Sequence, residues 1–466
     1  MSTPIKFGTD GWRAIIGEDY TVDNVKRVAE ATAIFMQKNN MSVAIIGHDC
    51  RFGGRMFSEI TAQVLGAYGI KSHLGIGFVS TPMVSLGVLQ LKAGLGIVIT
   101  ASHNPPSYNG FKLKASFGGP MIPADIAIVE SYIPDTCSLT TLPSLEALKA
   151  ANLLIDTDLE KMYLKHARAH FNLKLIKSSG IKLAYDAMYG AGQRAVKNLL
   201  PKSAFLHCDW NPGMHGQAPE PIARNLTELS SLIRKNPKIS AGLANDGDAD
   251  RIGMFDEEGN FVDSHHLLLL LLLYLYKYKN RRGKVVFTFS VTDKMKKMAE
   301  KFGLPYQITK VGFKYIAEIM VAEDVLIGGE ESGGLAVKGH IPERDGVWMG
   351  LLLLEFMAAT GKTMKGLVEE VYEEVGAFAF DRDDLHITEA HKQSVIDACK
   401  SRAYNRFGPY DVEDIEDLDG WKFLLGQERW VMIRASGTEP VLRVYAQAGT
   451  LAEARQILEA TKTTIY

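Results

Sequence analysis

Cysteine is scarce. The 466 residues hold four, Cys50, Cys137, Cys208 and Cys399, scattered, with no CxxC and no run of His and Cys at zinc-ligand spacing. No disulfide framework organises such a chain, and a reduced, cytoplasmic setting is expected. Net charge is equally slight at -2. That excludes a global pull on nucleic acid or acidic membranes, so neither is expected as a partner and any anion site must be local. Long apolar spans are missing too. The run Leu267 to Leu273, continued by Tyr274, Leu275 and Tyr276, is about half the roughly 20 residues a bilayer crossing needs, and reads as a buried helix. The opening MSTPIKFGTDGWR has no basic stretch followed by an apolar one, so no signal peptide is expected. No low-complexity linker or evident repeat interrupts the chain.

What is present is an alternation of apolar strands with amphipathic helices. Thr21 caps a helix with Val25, Val28, Thr32 and Phe35 near helical spacing, and Val43 to Gly47 reads as a buried strand. The pattern recurs at Gly96 to Thr100, at Ile181 to Asp186 with a helix from about Gln193, and at Lys284 to Phe289 followed by Val291 to Phe302. Such grammar implies an α/β chain of mostly parallel sheets covered on both faces. Cores rarely grow past roughly 250 to 300 residues, and the pattern restarts to suggest domains at 1–150, 151–260, 261–375 and 376–466. From Asp381 the character changes to one long helix (Thr388 to Phe407), a charged loop, paired strands Trp430 to Arg434 and Leu442 to Ala446, and a terminal helix. This reads as a smaller α+β domain.

Four stretches carry residue types that suit a sugar phosphate better than a core. TASHNPPSYNGFK (Thr100 to Lys112) follows a strand directly, where parallel sheets place ligand loops; Ser102 is a candidate nucleophile and His103 a candidate proton carrier or phosphate donor. Alone, it is equally a turn with a capping serine. DGDADR (Asp246 to Arg251) offers three alternate aspartates to a hard cation, with Arg251 beside them for a phosphate. An EF-hand would need Gly where Arg251 stands, and a plain acidic turn remains open. GGEESGG (Gly328 to Gly334) frees the backbone around Glu330 and Ser332, which suit sugar hydroxyls, or is simply a flexible loop. RASGTEP (Arg434 to Pro440) sets Arg434, the Ser436 and Thr438 hydroxyls and the Gly437 amide as a phosphate cradle. A dinucleotide-site look-alike also exists, Gly190-Ala-Gly192-Gln-Arg-Ala195 with Asp209 later. Ala187 to Tyr189 intervene between its strand and first glycine, spoiling the tight turn that motif needs.

Taken in order, these stretches resemble the α-D-phosphohexomutase family, which includes phosphoglucomutase, phosphomannomutase and phosphoglucosamine mutase. FGTDGWR (Phe7 to Arg13) is similar to the family's opening motif, and the four loops to its phosphoserine, metal, sugar and phosphate loops. The resemblance implies three similar α/β/α domains plus a smaller α+β C-terminal domain around a central cleft. It implies that Ser102 carries the phosphoryl group and that Asp246, Asp248 and Asp250 bind Mg²⁺ together with a phosphoserine oxygen. Arg13, His103, Lys112 and Arg251 match positions lining the reacting phosphate, Arg434, Ser436, Gly437 and Thr438 match the distal phosphate grip, and Glu330 and Ser332 match the residues that choose among hydroxyls.

The implied reaction interconverts hexose 1- and 6-phosphates through a hexose 1,6-bisphosphate, which also serves as activator, in a monomer or homodimer with small-molecule sugar phosphates as partners. Lys112 or His103 is the implied general acid or base; a lysine would need a depressed pKa. Gly334 and Phe313 stand where some mannose-handling members carry His, while Lys314 resembles the glucomutase pattern. Glucose phosphates are therefore expected ahead of mannose or glucosamine phosphates. Two other classes remain: a Mg²⁺-dependent sugar phosphatase, which would want Thr or Val at Ala249 and give Ser102 no role, and a non-catalytic sugar-phosphate sensor.

Overall fold

In the computed structural model, which describes residues 4–8, 10–435 and 441–466, the chain divides into two units, 1–285 with 312–367 and 286–311 with 368–466. The first holds a sheet of Trp12–Ile15 (β1), Val43–His48 (β2), Lys71–Gly75 (β3), Leu95–Ile99 (β4), Tyr108–Ala115 (β5) and Leu154–Thr157 (β6), in the order β1-β5-β4-β2-β3-β6. β2 lies parallel to β3 and β4, whereas β5 runs antiparallel to both β4 and β1. The central strands are apolar in every residue from Ala44 to Ile46 and from Ile97 to Ile99, all fully buried, as expected where helices cover both faces. Helix Val22–Lys38 starts where the Thr21 hydroxyl accepts the Asn24 amide, and it buries Val25, Val28, Thr32 and Phe35.

A second sheet joins Leu183–Asp186 (β7), Ala204–Leu206 (β8), Ala241–Asn245 (β9), Ile252–Phe255 (β10) and Phe261–Val262 (β11) in the order β11-β10-β9-β7-β8. β9 and β10 pair antiparallel with Asn245 opposite Ile252, so Asp246 to Arg251 form a hairpin turn rather than an EF-hand. A further hairpin, Val325–Gly329 with Leu335–Val337, puts 330–334 at its tip. The leucine run lies in helix Ser264–Leu273, buried at every position and continued by a π-helical turn Tyr274–Tyr278. Among the described residues no helix is long and apolar enough to cross a membrane.

The second unit holds an antiparallel sheet in the order Ala379–His386, Val441–Ala448, Trp430–Ala435, Trp421–Leu424, Asp414–Glu416. Helices Glu389–Lys400 and Leu451–Ile465 pack with it around Val395, Val431, Ile433, Leu442 and Ile457. Two expectations are corrected. The helix predicted to reach Phe407 stops at Lys400, because Arg402 turns left-handed (φ 55°) and the Ala403 amide closes back on the Ala398 carbonyl at 2.9 Å. Arg406–Phe407 pairs instead with Tyr410–Asp411. The stretch expected as a charged loop supplies two sheet strands, since its apolar Ile415, Trp421 and Phe423 pack on the core.

Candidate functional site

Ser102 follows β4 by three residues and is 1% exposed. Its φ of 52° is left-handed, a costly conformation for serine that persists only where surroundings enforce it. Here they do. The Ser102 amide donates to Thr100 Oγ1 at 2.9 Å, and Thr100 donates to Asp49 at 2.5 Å. Arg51 then gathers the loop, donating to the carbonyls of Ser102 (2.7 Å), Asn104 (2.6 Å), Pro105 (2.7 Å) and Tyr108 (3.0 Å). Burial pushes the Asp49 carboxyl up to about 6 against the pull of Arg51. The outcome is a hydroxyl aimed at one atom: Ser102 Oγ donates to Asp246 Oδ2 at 2.7 Å.

Asp246, Asp248 and Asp250 are fully buried, with ligand oxygens within 4.8 Å of one another. Ala249, also left-handed at φ 58°, bends the turn so that the alternate carboxylates converge. Gly190 explains the look-alike glycine motif. A Cβ there would lie 2.5 Å from the Asp246 carbonyl, and the Ala191 amide donates to the Gly247 carbonyl at 2.9 Å. The glycines let one turn pack against the back of the aspartate loop, so the space a pyrophosphate would need is filled by protein.

The trio is held from several sides. The Arg251 amide donates to Asp246 Oδ1 (3.0 Å), Thr81 Oγ1 to Asp248 Oδ2 (2.5 Å), Lys112 Nζ to Asp248 Oδ2 (2.8 Å), and Arg344 pairs with Asp250 Oδ2 (2.8 Å). Burial, then repulsion from Asp248 and Asp250, raises the Asp246 carboxyl well above its ordinary value. Asp248 goes the other way: burial opposes its charge, but the charge and hydrogen bond of Lys112 together with the Thr81 hydroxyl lower the carboxyl. Two oxygens remain, Asp248 Oδ1 and Asp250 Oδ1, buried with no hydrogen-bond donor among the described residues. An orphaned pair of this kind is costly unless a cation supplies the missing charge, and an all-oxygen donor set suits Mg²⁺. The residues fit the ion.

Around the trio stands a ring of buried charge. Lys112, on β5, also pairs with Asp10 at 2.8 Å and with Asp250 at 3.3 Å. Burial would lower its ammonium, but Asp10, Asp248 and Asp250 prevail and raise it; this lysine stays charged, which rules against the depressed pKa a lysine base needs. Burial, then Arg251 and Arg13, hold His103 well below its usual value and hence neutral. His103 Nδ1 lies 3.4 Å from Ser102 Oγ. Arg13, on β1, donates to Asn104 Oδ1 at 2.7 Å, while its Nε and that of Arg251 are buried without an acceptor among the described residues.

Sequence reasoning missed the hub of this ring. Asp10 receives Lys112, Lys114 and Arg344, and those cations overcome burial to hold its carboxyl well below the ordinary range. Arg344 pairs with both Asp10 and Asp250 and reaches Glu330 at 3.9 Å. Asp10 lay within the FGTDGWR motif, so a signal existed; Arg344, inside an unremarkable PERDG, gave none.

Glu330 is 6% exposed, and burial, outweighing Arg344 and Arg251, raises its carboxyl to about 7. Its loop docks on the aspartate turn: the Ile252 amide donates to the Gly333 carbonyl at 3.2 Å. Ser332 is half-buried on the same loop. The contacts around the aspartates do not include Lys314, which lies on helix Phe313–Ala322 with its Nζ 5.3 Å from the Tyr315 ring. In the other unit, Arg434 is the penultimate residue of strand Trp430–Ala435 and pairs with Asp419 at 3.3 Å. Ser436, Gly437 and Thr438 lie outside the described residues.

Models of the phosphoglucomutase/phosphomannomutase family match along the chain: alpha/beta/alpha domain I over residues 4–137, domain II over 161–259, domain III over 263–375 and the C-terminal domain over 385–463. A Pyrococcus furiosus protein provisionally named phosphoglucosamine mutase is 28% identical over 459 residues, 98% of this chain and 96% of its own. Phosphoglucomutase/phosphomannomutase of Thermococcus kodakarensis is 27% identical over 460 residues, covering 97% and 96%. Among solved structures, a Thermus thermophilus protein provisionally named phosphomannomutase superposes with a TM-score of 0.89 at 33% identity, covering all of both chains.

Proposed function

The chain belongs to the phosphoglucomutase/phosphomannomutase family of intramolecular phosphotransferases, and from that premise we propose that it interconverts hexose 1-phosphate and hexose 6-phosphate through a phosphorylated Ser102. The observation that carries this reading is the 2.7 Å contact of Ser102 Oγ with Asp246 beside two donorless carboxylate oxygens. A hydroxyl held there carries its phosphoryl group at a cation site.

Asp246, Asp248, Asp250 and an oxygen on Ser102 would hold Mg²⁺, which when bound draws negative charge from the phosphoryl group in transit. The chain's own residues do the rest. Charged Lys112 and the guanidinium groups of Arg13 and Arg251 neutralise phosphoryl oxygens, worth most in a site closed to water. Neutral His103 can take the proton of the attacking hexose hydroxyl, which a lysine fixed as ammonium cannot. Glu330 and Ser332 orient vicinal hydroxyls. Arg434 with Ser436, Gly437 and Thr438 grips the phosphate not in transit, so a hexose 1,6-bisphosphate can turn over and return its second phosphate to Ser102. A cytoplasmic setting suits such substrates.

For the hexose itself, we place glucose phosphates first. Phe313, its ring 5.4 Å from the Arg344 guanidinium, offers a sugar hydroxyl no polar atom, and a Cβ at Gly334 would fall 2.4 Å from Arg344 Cδ, so neither position supplies an imidazole. The relatives named for glucosamine and mannose keep those phosphates as the second reading. A coupled assay decides, comparing glucose, mannose and glucosamine 1-phosphates with added glucose 1,6-bisphosphate. Glucose should show the largest kcat/KM; a larger value for either rival reassigns the sugar, and no turnover of any sinks the mutase reading.

A further inference from the structure

The second unit contains a cavity of about 280 Å³ between helix Lys294–Lys301 and the turn that joins strands Trp421–Leu424 and Trp430–Ala435. Its helix side is cationic against local preference. Lys294 and Lys297 fall in the first turn, which carries no acid, although a helix N-terminus favours anions. Lys294 is moreover 2% exposed. A third lysine, Lys422, is buried against the preceding residue, pairing with Asp293 at 3.1 Å and lying over the Phe289 and Trp430 rings. No buried acid neutralises the first two. Glu428 reaches in from the turn with a side chain 55% exposed, one carboxylate oxygen accepting from Lys294 and the other from Lys297 at 2.7 Å. Those hydrogen bonds hold its carboxyl below the ordinary value. To deliver it, the chain takes three left-handed residues in succession, Gly426 (φ 71°), Gln427 (φ 52°) and Glu428 (φ 61°), two of them without glycine's freedom.

We propose that Lys294 and Lys297 form a binding site for the phosphate of a small phosphate monoester, and that Glu428 is the built-in carboxylate such a ligand displaces. The donors already converge, since each oxygen of one carboxylate is taken by a different ammonium. A phosphate monoester brings three oxygens and nearly two charges to the same pair, more than a lone carboxylate offers. Both sides of the contact break a local rule, with cations at a helix N-terminus and left-handed residues other than glycine, and such breaches gather at functional sites. The cavity supplies room for the rest of the ligand. Trp430 lines it, 1% exposed, its Nε1 buried without an acceptor among the described residues, and Gln427 and Glu413 line it as partners for hydroxyls. Once Glu428 is displaced, Lys294, Lys297 and Lys422 outnumber Asp293 and Glu413.

This is a different place from the distal phosphate grip. Arg434 lies four residues along the strand from Trp430, about 13 Å at the rise of a strand. Binding here frees the Glu428 turn from helix Lys294–Lys301.

The test uses the whole chain, with inorganic phosphate and then glycerol 3-phosphate as probes in isothermal titration. Phosphate groups bound near Ser102 or Arg434 are common to every protein compared. Glu428→Gln keeps the side chain's length and drops its charge, so phosphate affinity at the lysine pair should rise about tenfold or more. Phosphate should also raise the melting temperature of this variant by more than it raises the parent's. Adding Lys297→Ala should erase both gains. Lys297→Ala alone, at an exposed position where the fold should tolerate it, should weaken phosphate binding in the parent. Glycerol 3-phosphate, whose hydroxyls reach the cavity, should bind Glu428→Gln more tightly than phosphate does. No gain in Glu428→Gln, a gain that survives Lys297→Ala, or glycerol 3-phosphate bound more weakly than phosphate overturns the proposal.

Discussion

Ser102 Oγ and Asp246 Oδ2 meet at 2.7 Å although 144 residues separate them. The contact joins the loop after β4 to the turn between β9 and β10, and each of the two loops holds a left-handed residue, Ser102 at φ 52° and Ala249 at φ 58°. Strain at two facing turns, held by Arg51 on one side and by Gly190 behind the other, is the means by which a hydroxyl and three carboxylates share one buried space.

Replacing Ser102 with Ala should lower mutase turnover by about 10³-fold or more and leave the melting temperature nearly unchanged, because alanine tolerates the left-handed backbone no worse than serine. Intact mass should show one phosphoryl group on the parent and none on the variant. Full activity in the variant, contaminating parent excluded, would contradict the assignment.

Divalent cations should raise the melting temperature of the parent. Asp246→Asn, a mimic of the protonated acid that burial beside Asp248 and Asp250 favours, should be at least as stable as the parent in chelator at pH 8. It should lose the Mg²⁺-induced rise. Calorimetry with and without the ion reads both effects.

Glu330 gives a pH signature. Its carboxyl lies at about 7 in the fold against an ordinary 4.5, so the folded state favours the neutral acid. The cost of ionising it is absent below about 4.5 and complete above about 7, hence stability falls as pH rises through that window, by up to about 3 kcal/mol. Glu330→Gln should abolish that fall in denaturant titrations. The same variant should flatten the decrease in KM expected between pH 6 and 8, as the accepting carboxylate forms.

Gly190→Ala places a methyl group 2.5 Å from the Asp246 carbonyl and should cost about 1–3 kcal/mol. Because the turn backs the metal loop, Mg²⁺ affinity should fall with it. A variant with unchanged Mg²⁺ affinity would show that the loop does not depend on this support.

Arg344→Ala removes a guanidinium shared by Asp10 and Asp250 and should destabilise by about 3–5 kcal/mol in denaturant. Arg344→Lys keeps the charge and should recover only part of the loss, since one nitrogen, Nη2, serves Asp10 and Asp250 while Nη1 and Nε face Glu330 and Glu343, which a single ammonium gives up.

The strands at β2, β4 and β7, the buried leucine helix and the loops at Ser102, Asp246 and Glu330 were legible because each is written locally, in apolar runs and in clusters of Gly, Asp and Ser. The helix end at Lys400 was not, since a left-handed Arg402 stops a pattern that periodicity continues. Arg51 and Arg344 hid for another reason: a buried charge is recognisable only by its partners, and theirs include groups tens to hundreds of residues away.

Sequence by itself determined which chemistry was available, a hydroxyl, three alternating carboxylates and a set of cations on loops after strands, because those side chains have few other uses in such company. Tertiary structure decided what each group is at neutral pH. Lys112 stays charged, His103 neutral and Asp246 reluctant to ionise because burial removes water while distant residues supply the opposing or reinforcing charge, and that balance exists only once the strands have brought them together.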